Sequence, residues 1–549
     1  GVPFRVLDAA RRPPADLGAA PLLVVGHAAF APPRDAAWRQ AVRDAVRAGA
    51  GLVSFDPHWP DVSPRDPHIQ PREIQFVGAH WITAGRPEDR LELPGALHLV
   101  ARIPGRPIVT AGGRPLVTVD RLGSGRMVRW SRLGWANPAV LGPLGGLDGV
   151  LWRSLVWAAR KPFVIRALPP LVALRGDDVA GTGERWNLPP LWWVDEAVRA
   201  GFRPWLGLFT HATSDAAVRE LRPHLTAGRA TAFPHALGRL RASRGPALAW
   251  DPATPKPRGD GPDGLGRTDA FIYYDHAGRR PWPDAEARAR LDLAERWWRT
   301  RDLPMSRVFI PHWYEAGANT IPRVHDRWGA HLSSLVKTPE SPCAAGTPWL
   351  RSGPFRRDGP AGPATPHGGA GGELGRRPVY YADTVRFAGR KFFNGLTEIR
   401  DIAGYEWTPD GRVGPTVDRG VRTIARGLDS LALAVLFTHE TDHLWKIPPA
   451  RLRAELRGVA RGIAGRRPRF VTLDDGLRAV EATKTARIVS VVQHPTARRV
   501  TVTLAGRAAV ETSFRLYVEG PRGPAGRTIR VPAFVGRRRI AVPLRRNSL

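Results

Sequence analysis

Two adjacent carboxylates follow an apolar stretch in the middle of the chain. Residues 171–174 have the composition of a buried strand, and Arg175, Gly176, Asp177 and Asp178 come directly after them. Residues just past the carboxyl end of a strand face the active site in a β/α barrel. Neighbouring side chains can diverge there, so that one carboxylate binds a metal ion while the other accepts a proton. A solvated turn would explain the same pair, so the motif needs support from elsewhere.

Four histidines occupy an equivalent position, each one step past an apolar stretch typical of a strand. They are His235, His276, His312 and His439. A single histidine is usually structural, but four at the ends of successive strands favour a shared site. A carboxylate together with neutral imidazoles is a ligand set that suits Zn²⁺ or a similar divalent ion. The sequence therefore predicts a divalent metal cofactor, with zinc preferred.

A competing motif overlaps the last of these histidines. The run from His439 to His443 has the sequence HETDH and matches the zinc-protease pattern His-Glu-x-x-His. Protease chemistry of this kind needs both histidines on one face of a helix. Residues 431–437 are typical of a strand, and the prolines at 448–449 leave little room for a helix. The local pattern therefore favours a chance match.

The elements that would position these residues alternate between strands and helices. The predicted strands are residues 171–175, 205–210, 230–233, 271–274, 308–310, 379–381, 431–437 and 470–473. Helical spacing of apolar residues predicts helices at 284–300, 418–430 and 449–463. Alternation over about 300 residues favours a β/α barrel over an open sheet. Stretches 241–267 and 352–377 lack periodicity and are predicted to be long loops.

Residues 161–485 resemble a divergent member of the polysaccharide deacetylase barrel family. Asp177 and Asp178 match the strand-end Asp-Asp of the family's first motif, and His439, in the sequence AVLFTH, matches the strand-end histidine of its last motif. The resemblance implies that Asp177 is the general base and Asp178 a metal ligand. It also implies that His439 is the general acid.

The sequence departs from the family pattern at the other ligands and at the substrate pocket. The family's second motif pairs two histidine ligands three residues apart, and His235 has no partner at that spacing. We expect the insertion at 241–267 to have moved the second ligand to His276. The family's Arg-x-Pro-Tyr motif has no clean match, and the sequence FIPHWYEAGANT takes its place. The residues expected to contact substrate are Arg175, His312 and Tyr314.

Two further domains are predicted to flank this barrel. Residues 1–160 alternate strands and helices and contain the sequences LLVVGHAAF and RPLVTVDRLGSGRMVRWSRLGW. They resemble the trehalose-utilisation and class I glutamine-amidotransferase-like fold, a three-layer α/β domain. Family amidotransferases use a Cys nucleophile, and the single cysteine, Cys343, lies outside this region, so the domain is predicted to be non-catalytic. Residues 486–549 alternate apolar and polar side chains between Gly/Pro turns, which predicts a small antiparallel β-sandwich.

Charge and composition indicate which classes of binding partner are expected. The formal charge is +32, yet six of the 82 basic residues are lysine, and the arginines are scattered. This pattern indicates a coding bias rather than a nucleic-acid partner, although a basic surface suits an acidic glycan. No uncharged apolar run reaches about 18 residues, so no membrane span is predicted. Residue 1 is Gly rather than Met, so a missing signal peptide and a secreted or cell-envelope location stay open.

Together these observations predict a metal-dependent deacetylase that acts on an acetylated polysaccharide or amino sugar. Two alternatives remain. A glycosidase on a related barrel would need two carboxylates flanking the scissile bond, for which Asp177 with Glu315 or Glu440 is the available pairing. A non-catalytic glycan-binding protein would keep the barrel without the metal, and any exposed members of its 20 tryptophans would stack on sugars.

Overall fold

The described residues form both helices and strands, which confirms the general α/β class predicted from the sequence. The computed structural model describes all residues except 1, 9, 27–35, 57–70, 87, 94, 96, 98, 100–102, 137–139, 143, 182, 243–247, 251–268, 276–279, 313–314, 334–382, 398, 400–406, 441–442 and 545–549. The chain divides into two compact units, each assembled from separate segments. Unit 1 comprises residues 1–169, 429–431 and 482–549, and unit 2 comprises residues 170–428 and 432–481.

The described residues form strands and α-helices that are numbered in chain order. The strands are β1 (Leu22–Val25), β2 (Gly51–Ser54), β3 (Glu73–Phe76), β4 (Arg90–Glu92), β5 (Arg106–Ala111), β6 (Arg114–Leu122), β7 (Gly125–Trp130), β8 (Phe163–Arg166), β9 (Leu171–Val179), β10 (Pro204–Phe209), β11 (Thr231–Ala236), β12 (Gly238–Ala242), β13 (Leu248–Trp250), β14 (Asp269–Ala270), β15 (Val308–Phe309), β16 (Leu332–Ser333), β17 (Asp383–Phe387), β18 (Arg390–Asn394), β19 (Ala434–His439), β20 (Arg469–Phe470), β21 (Ala486–His494), β22 (Arg499–Ala508), β23 (Thr512–Val518), β24 (Ala525–Val531) and β25 (Phe534–Pro543). The α-helices are α1 (Ala36–Arg47), α2 (Asp148–Ala158), α3 (Trp192–Arg199), α4 (Asp215–Thr226), α5 (Asp284–Thr300), α6 (Thr320–Trp328), α7 (Val413–Asp429), α8 (Pro449–Gly462) and α9 (Leu473–Thr485).

Unit 1 contains a seven-stranded mixed sheet with helices on both faces. Its strand order is β1-β2-β7-β6-β5-β3-β4, and β1, β2 and β7 are parallel. Leu52 and Met127 belong to the apolar cluster that α1 completes, whereas the next residues along each strand, Val53 and Val128, belong to the cluster of α2. Because successive side chains of a strand point to opposite faces, the two helices cover opposite sides of the sheet.

Two three-stranded antiparallel sheets complete unit 1. One has the order β21-β22-β25 and the other β24-β23-β8. Val502 on β22, Phe514 on β23 and Val164 on β8 are buried in one shared apolar cluster. The two sheets therefore pack face to face, and β8, which precedes unit 2 in sequence, supplies an edge strand to the C-terminal sheets.

Unit 2 is organised around buried parallel strands. β11, β10, β9 and β19 are neighbours in that order, all parallel, and β20 also pairs with β9. Every residue of β9, β10 and β19 is buried. Strands covered on both faces have continuous apolar sequences, which is why these segments could be recognised without alternation. A second sheet has β15, β16 and β18 parallel and β17 antiparallel at its edge.

The boundaries differ from the sequence-based expectations in several places. The predicted helix at 284–300 has those bounds in α5, whereas α7 begins five residues before the predicted 418. Residues 271–274 are irregular rather than a strand, and the predicted strand 379–381 and the loop 352–377 lie outside the described residues. Part of the predicted loop 241–267 forms the short strand β13. Among the described helices, none has the length and apolar character needed to span a membrane.

Candidate metal centre

The end of β9 brings two carboxylates to one imidazole. Arg175 and Asp177 lie on the same side of the strand because they are two residues apart. Asp178 has a φ of 56°, a left-handed conformation that costs a non-glycine residue roughly 1–2 kcal/mol. Nε2 of His235 lies 3.8 Å from Oδ2 of Asp177 and 3.2 Å from Oδ1 of Asp178. In a regular strand, neighbouring side chains point to opposite faces, but here the left-handed backbone accompanies two neighbouring carboxylates that approach the same imidazole. Backbone conformations of this kind cluster at functional sites.

Asp178, His235 and His312 form a compact group, which we call the Asp–His–His cluster. Oδ1 of Asp178 lies 3.0 Å from Nδ1 of His312, and one ligand atom from each residue lies within 4.8 Å of the others. The two imidazole rings are 5.1 Å apart and nearly perpendicular. One carboxylate and two imidazoles can hold a divalent ion such as zinc while leaving positions for other ligands.

The orientation of His235 is set by a backbone carbonyl. Its Nδ1 lies 2.8 Å from the carbonyl oxygen of Ile310, which can only accept a hydrogen bond. Nδ1 therefore carries a proton and donates it to Ile310, which leaves Nε2 as the ring nitrogen that faces Asp178. A metal ion at this position would take the place of any proton on Nε2. Metal-binding histidines characteristically use their second nitrogen in this way. The contact also ties β11, which carries His235, to the segment that follows β15 and carries His312.

The charge state of Asp178 follows from its neighbours. Burial raises the pKa of this carboxyl, but the nearby charge of His312 and hydrogen bonds from His235 and His312 hold it well below its usual value. His439 adds a further favourable charge interaction that lowers the pKa of Asp178. The residue is accordingly an anionic oxygen donor, the form in which a carboxylate binds a metal.

Asp177 is held by Arg175 through two hydrogen bonds. Nε of Arg175 donates to Oδ1 of Asp177 at 2.8 Å, and Nη2 donates to Oδ2. The guanidinium also donates to the hydroxyl of Thr397 at 2.9 Å and lies 4.1 Å from the centre of the Phe437 ring. Arg175 is fully buried. Arg175, expected to contact substrate, is thus a buried hydrogen-bonding partner of Asp177.

His439 reaches the same site from the neighbouring strand. β19 lies parallel to β9, and His439 is the register partner of Asp177. The imidazole is buried, 4.9 Å from the ring of Phe437. The backbone N–H of Glu440 donates to the carbonyl of Asp177 at 2.9 Å and continues the pairing one residue further. The predicted base and the predicted acid thus occupy adjacent strand ends.

Both carboxylate oxygens of Glu440 accept hydrogen bonds from residues that follow β9. One carboxylate oxygen accepts hydrogen bonds from the backbone N–H groups of Ala180 and Gly181 at 2.6 and 2.8 Å, and the other accepts from Nε1 of Trp193 at 2.8 Å. A fully buried carboxylate with these partners has a structural role and is poorly placed to act on a glycosidic bond. His439 ends a strand, so it does not share a helical face with His443 as the protease pattern requires.

The structure brings together some of the predicted site residues and places one further residue beside them. Asp178 and His235 lie in the cluster, and His312, expected to contact substrate, lies there with them. His276 and Tyr314 lie outside the described residues. The strand-end position of His312 was a signal available in the sequence. The hydrogen-bond partners of Glu440 and Thr397 gave no such signal, because they are more than 200 residues away along the chain.

Similarity between this chain and known proteins is low. No protein-family model matches the chain, and no curated protein matches it. Among solved structures, Cytoplasmic Protein STM3548 from Salmonella typhimurium is similar over 28% of this chain and 78% of its own, at 15% identity and a TM-score of 0.22. Cytoplasmic Protein STM1381 from Salmonella typhimurium LT2 is similar over 24% and 69%, at 14% identity and a TM-score of 0.18. Similarities this low carry no functional argument, so the site is interpreted from its own residues.

Proposed function

We propose that the protein is a metal-dependent hydrolase that removes acetyl groups from an acetylated polysaccharide or amino sugar. The observation that carries the proposal is the convergence of the Asp–His–His cluster with Asp177 and His439. This group combines a ligand set for a divalent ion with two further side chains able to move protons. Such a combination is what hydrolysis of an acyl bond requires.

The proposal includes a β/α barrel as the architecture of unit 2. Its support is that β9, β10, β11 and β19 run parallel and that β15, β16 and β18 do so as well. Asp177, His235 and His439 all lie at the carboxyl ends of their strands, and His312 follows β15. In a β/α barrel this is the end that carries the active site.

In the proposed reaction Asp178, His235 and His312 hold a divalent ion, with zinc favoured by the donor set. Such an ion polarises an acyl carbonyl and makes water a better nucleophile at neutral pH. The donor atoms fit this role because Asp178 is anionic and because Nε2 of His235, the ring nitrogen not bonded to Ile310, can present a lone pair to a metal ion. His276 remains a further candidate from the sequence.

The remaining residues have roles in proton transfer. Asp177 accepts a proton from the water that attacks the acetyl carbonyl, and Arg175 orients the carboxylate for that task. His439 donates a proton to the nitrogen or oxygen of the sugar as its bond to the acetyl carbon breaks. Acetate and the deacetylated sugar are the products, so the two proton transfers balance the hydrolysis.

The flanking domain is proposed to have no catalytic role. The seven-stranded sheet with helices on both faces supports a resemblance to the amidotransferase-like fold for residues 1–160. This region contains no cysteine, so it lacks the nucleophile of that chemistry. A structural or glycan-contacting role is consistent with this composition.

Metal analysis and acetate release from a panel of acetylated glycans test the proposal together. We expect near-stoichiometric metal in the purified protein, and Asp178→Asn should lose both metal and activity. Asp177→Asn should keep the metal while turnover falls by about 10² or more, because positioned acid–base groups contribute about 10²–10⁴-fold. His443→Ala is the matched control and should keep both. A protein in which His443→Ala alone removes the metal would overturn the assignment of the site.

A further inference from the structure

The C-terminal segment of unit 1 carries an unusual concentration of positive charge. Residues 486–549 contain 13 arginines and two glutamates, with no lysine or aspartate. The other 485 residues contain 69 basic and 48 acidic residues, a far more even balance. A chain-wide preference for arginine codons therefore does not account for the near absence of acidic residues in this segment.

Strand register places five of these arginines on one face of a sheet. In the sheet β21-β22-β25, Arg487 is opposite Ala505, and Ala505 is opposite Arg537. Arg539 is two residues further along β25, so it lies on the same face about 7 Å away. On β22, every second residue counted from Ala505 lies on this face, and these residues include Arg499 and Arg507.

This surface, which we call the arginine face, points away from the apolar core. The alternate residues of β22, including Val500, Val502 and Leu504, are fully buried against the facing sheet. The five arginines are all exposed. Within the described part of the chain, none of the five forms an ion pair, and none of the three strands contributes an acidic residue to the face. Like charges repel across neighbouring strands, so this arrangement carries an electrostatic cost that a bound polyanion would relieve.

We propose that the arginine face binds an acidic polysaccharide through its carboxylate groups. Guanidinium groups match carboxylates with two parallel hydrogen bonds, which makes arginine better suited than lysine to this contact. Thr501 and Thr503 lie on the same face of β22 between Arg499 and Arg507, and their hydroxyls can hydrogen-bond to sugar hydroxyls. A sheet surface with charges repeating along and across the strands suits an extended polymer rather than a small anion.

The composition of the face argues against other polyanions. Single-stranded nucleic acids are usually bound by aromatic side chains that stack on bases, and the arginine face contains no Phe, Tyr or Trp. Reading of duplex DNA requires an element that enters a groove, whereas a three-stranded sheet presents a broad surface. Stable attachment to a lipid surface requires a sizeable apolar area, and the exposed large aliphatic residues of this sheet are three valines, Val489, Val492 and Val535.

Binding measurements on the full-length protein test this surface independently of the metal site. The probe is fluorescently labelled polygalacturonate, with dextran as a neutral control. We expect Arg537→Glu/Arg539→Glu to weaken polygalacturonate binding by at least about tenfold, because two charge-assisted contacts are reversed. Arg288→Glu/Arg299→Glu makes the same change in net charge on the exposed side of α5 and should bind like the wild type. Binding should also weaken as salt is raised.

A second pair of substitutions distinguishes a loss of binding from a folding defect. Arg499→Gln/Arg507→Gln removes two charges from the central strand without reversing them, and it should weaken binding in the same direction while thermal unfolding stays unchanged. Equal binding by the Arg537→Glu/Arg539→Glu variant and the α5 control would overturn the proposal. So would tighter binding of a single-stranded oligonucleotide or of phosphatidylserine vesicles than of polygalacturonate at equal salt. Metal content and acetate release should be the same in all these variants, so failure of this surface leaves the proposed reaction untouched.

Discussion

Arg175 and Asp177 are joined by a two-point ion pair within a single strand. Both side chains are almost completely buried, at 0% and 2% exposure of the residues. Each charge is therefore compensated mainly by the other, and the pair fixes where the Asp177 oxygens point. This relationship connects the fold to the proposed chemistry, because a base that is free to rotate would be less effective than one held at a constant position.

Removal of one partner of this ion pair should destabilise the protein strongly. Arg175→Met leaves a buried carboxylate without its partner, which typically costs about 3–5 kcal/mol. Arg175→Met/Asp177→Asn should recover part of that loss, since the uncompensated charge is gone. Urea unfolding of both variants measures the difference. Arg47→Met is the control, because its pairing with Asp44 is exposed and should matter by less than about 1 kcal/mol. Equal losses for Arg175→Met and Arg47→Met would contradict this view of the pair.

A second prediction separates His312 from His276 as the remaining ligand. His312→Ala should lower metal content strongly, because the structure places His312 beside Asp178 and His235. His312→Gln is a useful companion, since it keeps a polar side chain of similar size but lacks an imidazole. Metal content by elemental analysis after dialysis is the measurement. If His276→Ala removes the metal and His312→Ala does not, the ligand set expected from the sequence is the correct one.

The sequence was informative wherever local pattern determines structure. Buried strands such as β9 and β19 have continuous apolar sequences, and the residues that follow them could be assigned to one end of a sheet. Asp178 and His235 were singled out in this way, and the structure places them 3.2 Å apart. Register adds a detail beyond that reasoning, because it makes His439 the direct partner of Asp177.

The remaining features depend on contacts between distant parts of the chain. Glu440 accepts a hydrogen bond from Ala180, which is 260 residues away in sequence, and β8 pairs with β23, which is about 350 residues away. No local pattern in the sequence reveals either contact. The left-handed backbone of Asp178 was equally hidden, because aspartate is compatible with ordinary strand geometry. His312 was expected to contact substrate, and its proximity to His235 could not be foreseen without knowing which strands are neighbours.

A third prediction concerns Glu440 and distinguishes a structural carboxylate from a catalytic one. Glu440→Gln introduces an N–H₂ group where three N–H donors converge, so at least one donor loses its acceptor. An unsatisfied buried donor costs about 1–3 kcal/mol, and the free energy of unfolding should fall by that amount. Metal content should stay unchanged. A protease of the His-Glu-x-x-His class would behave differently, with activity abolished and stability preserved, and that outcome would refute the structural role.

The last prediction concerns Glu455, a buried carboxyl on α8. Burial raises its pKa from the ordinary 4.5 to about 7, a hydrogen bond from Thr416 opposes the shift, and the charge of Asp410 adds to it. Between these two pKa values the unfolded chain has released its proton while the folded protein retains it. The unfolded state then binds fewer protons, so raising the pH through this window destabilises the fold.

Glu455→Gln should remove this pH dependence while keeping an acceptor for the backbone N–H of Gly411, which donates to Glu455 at 3.1 Å. As the pH rises from about 5 to about 8, the difference in Tm between the variant and the wild type should change by a few °C in favour of the variant. The reason is that only the wild type must ionise a buried carboxyl over this range. Glu511→Gln, a substitution at an exposed glutamate, should follow the wild-type curve across the same range. Thermal unfolding at several pH values checks both variants. A constant difference in Tm between Glu455→Gln and the wild type at every pH would show that Glu455 does not titrate in this window.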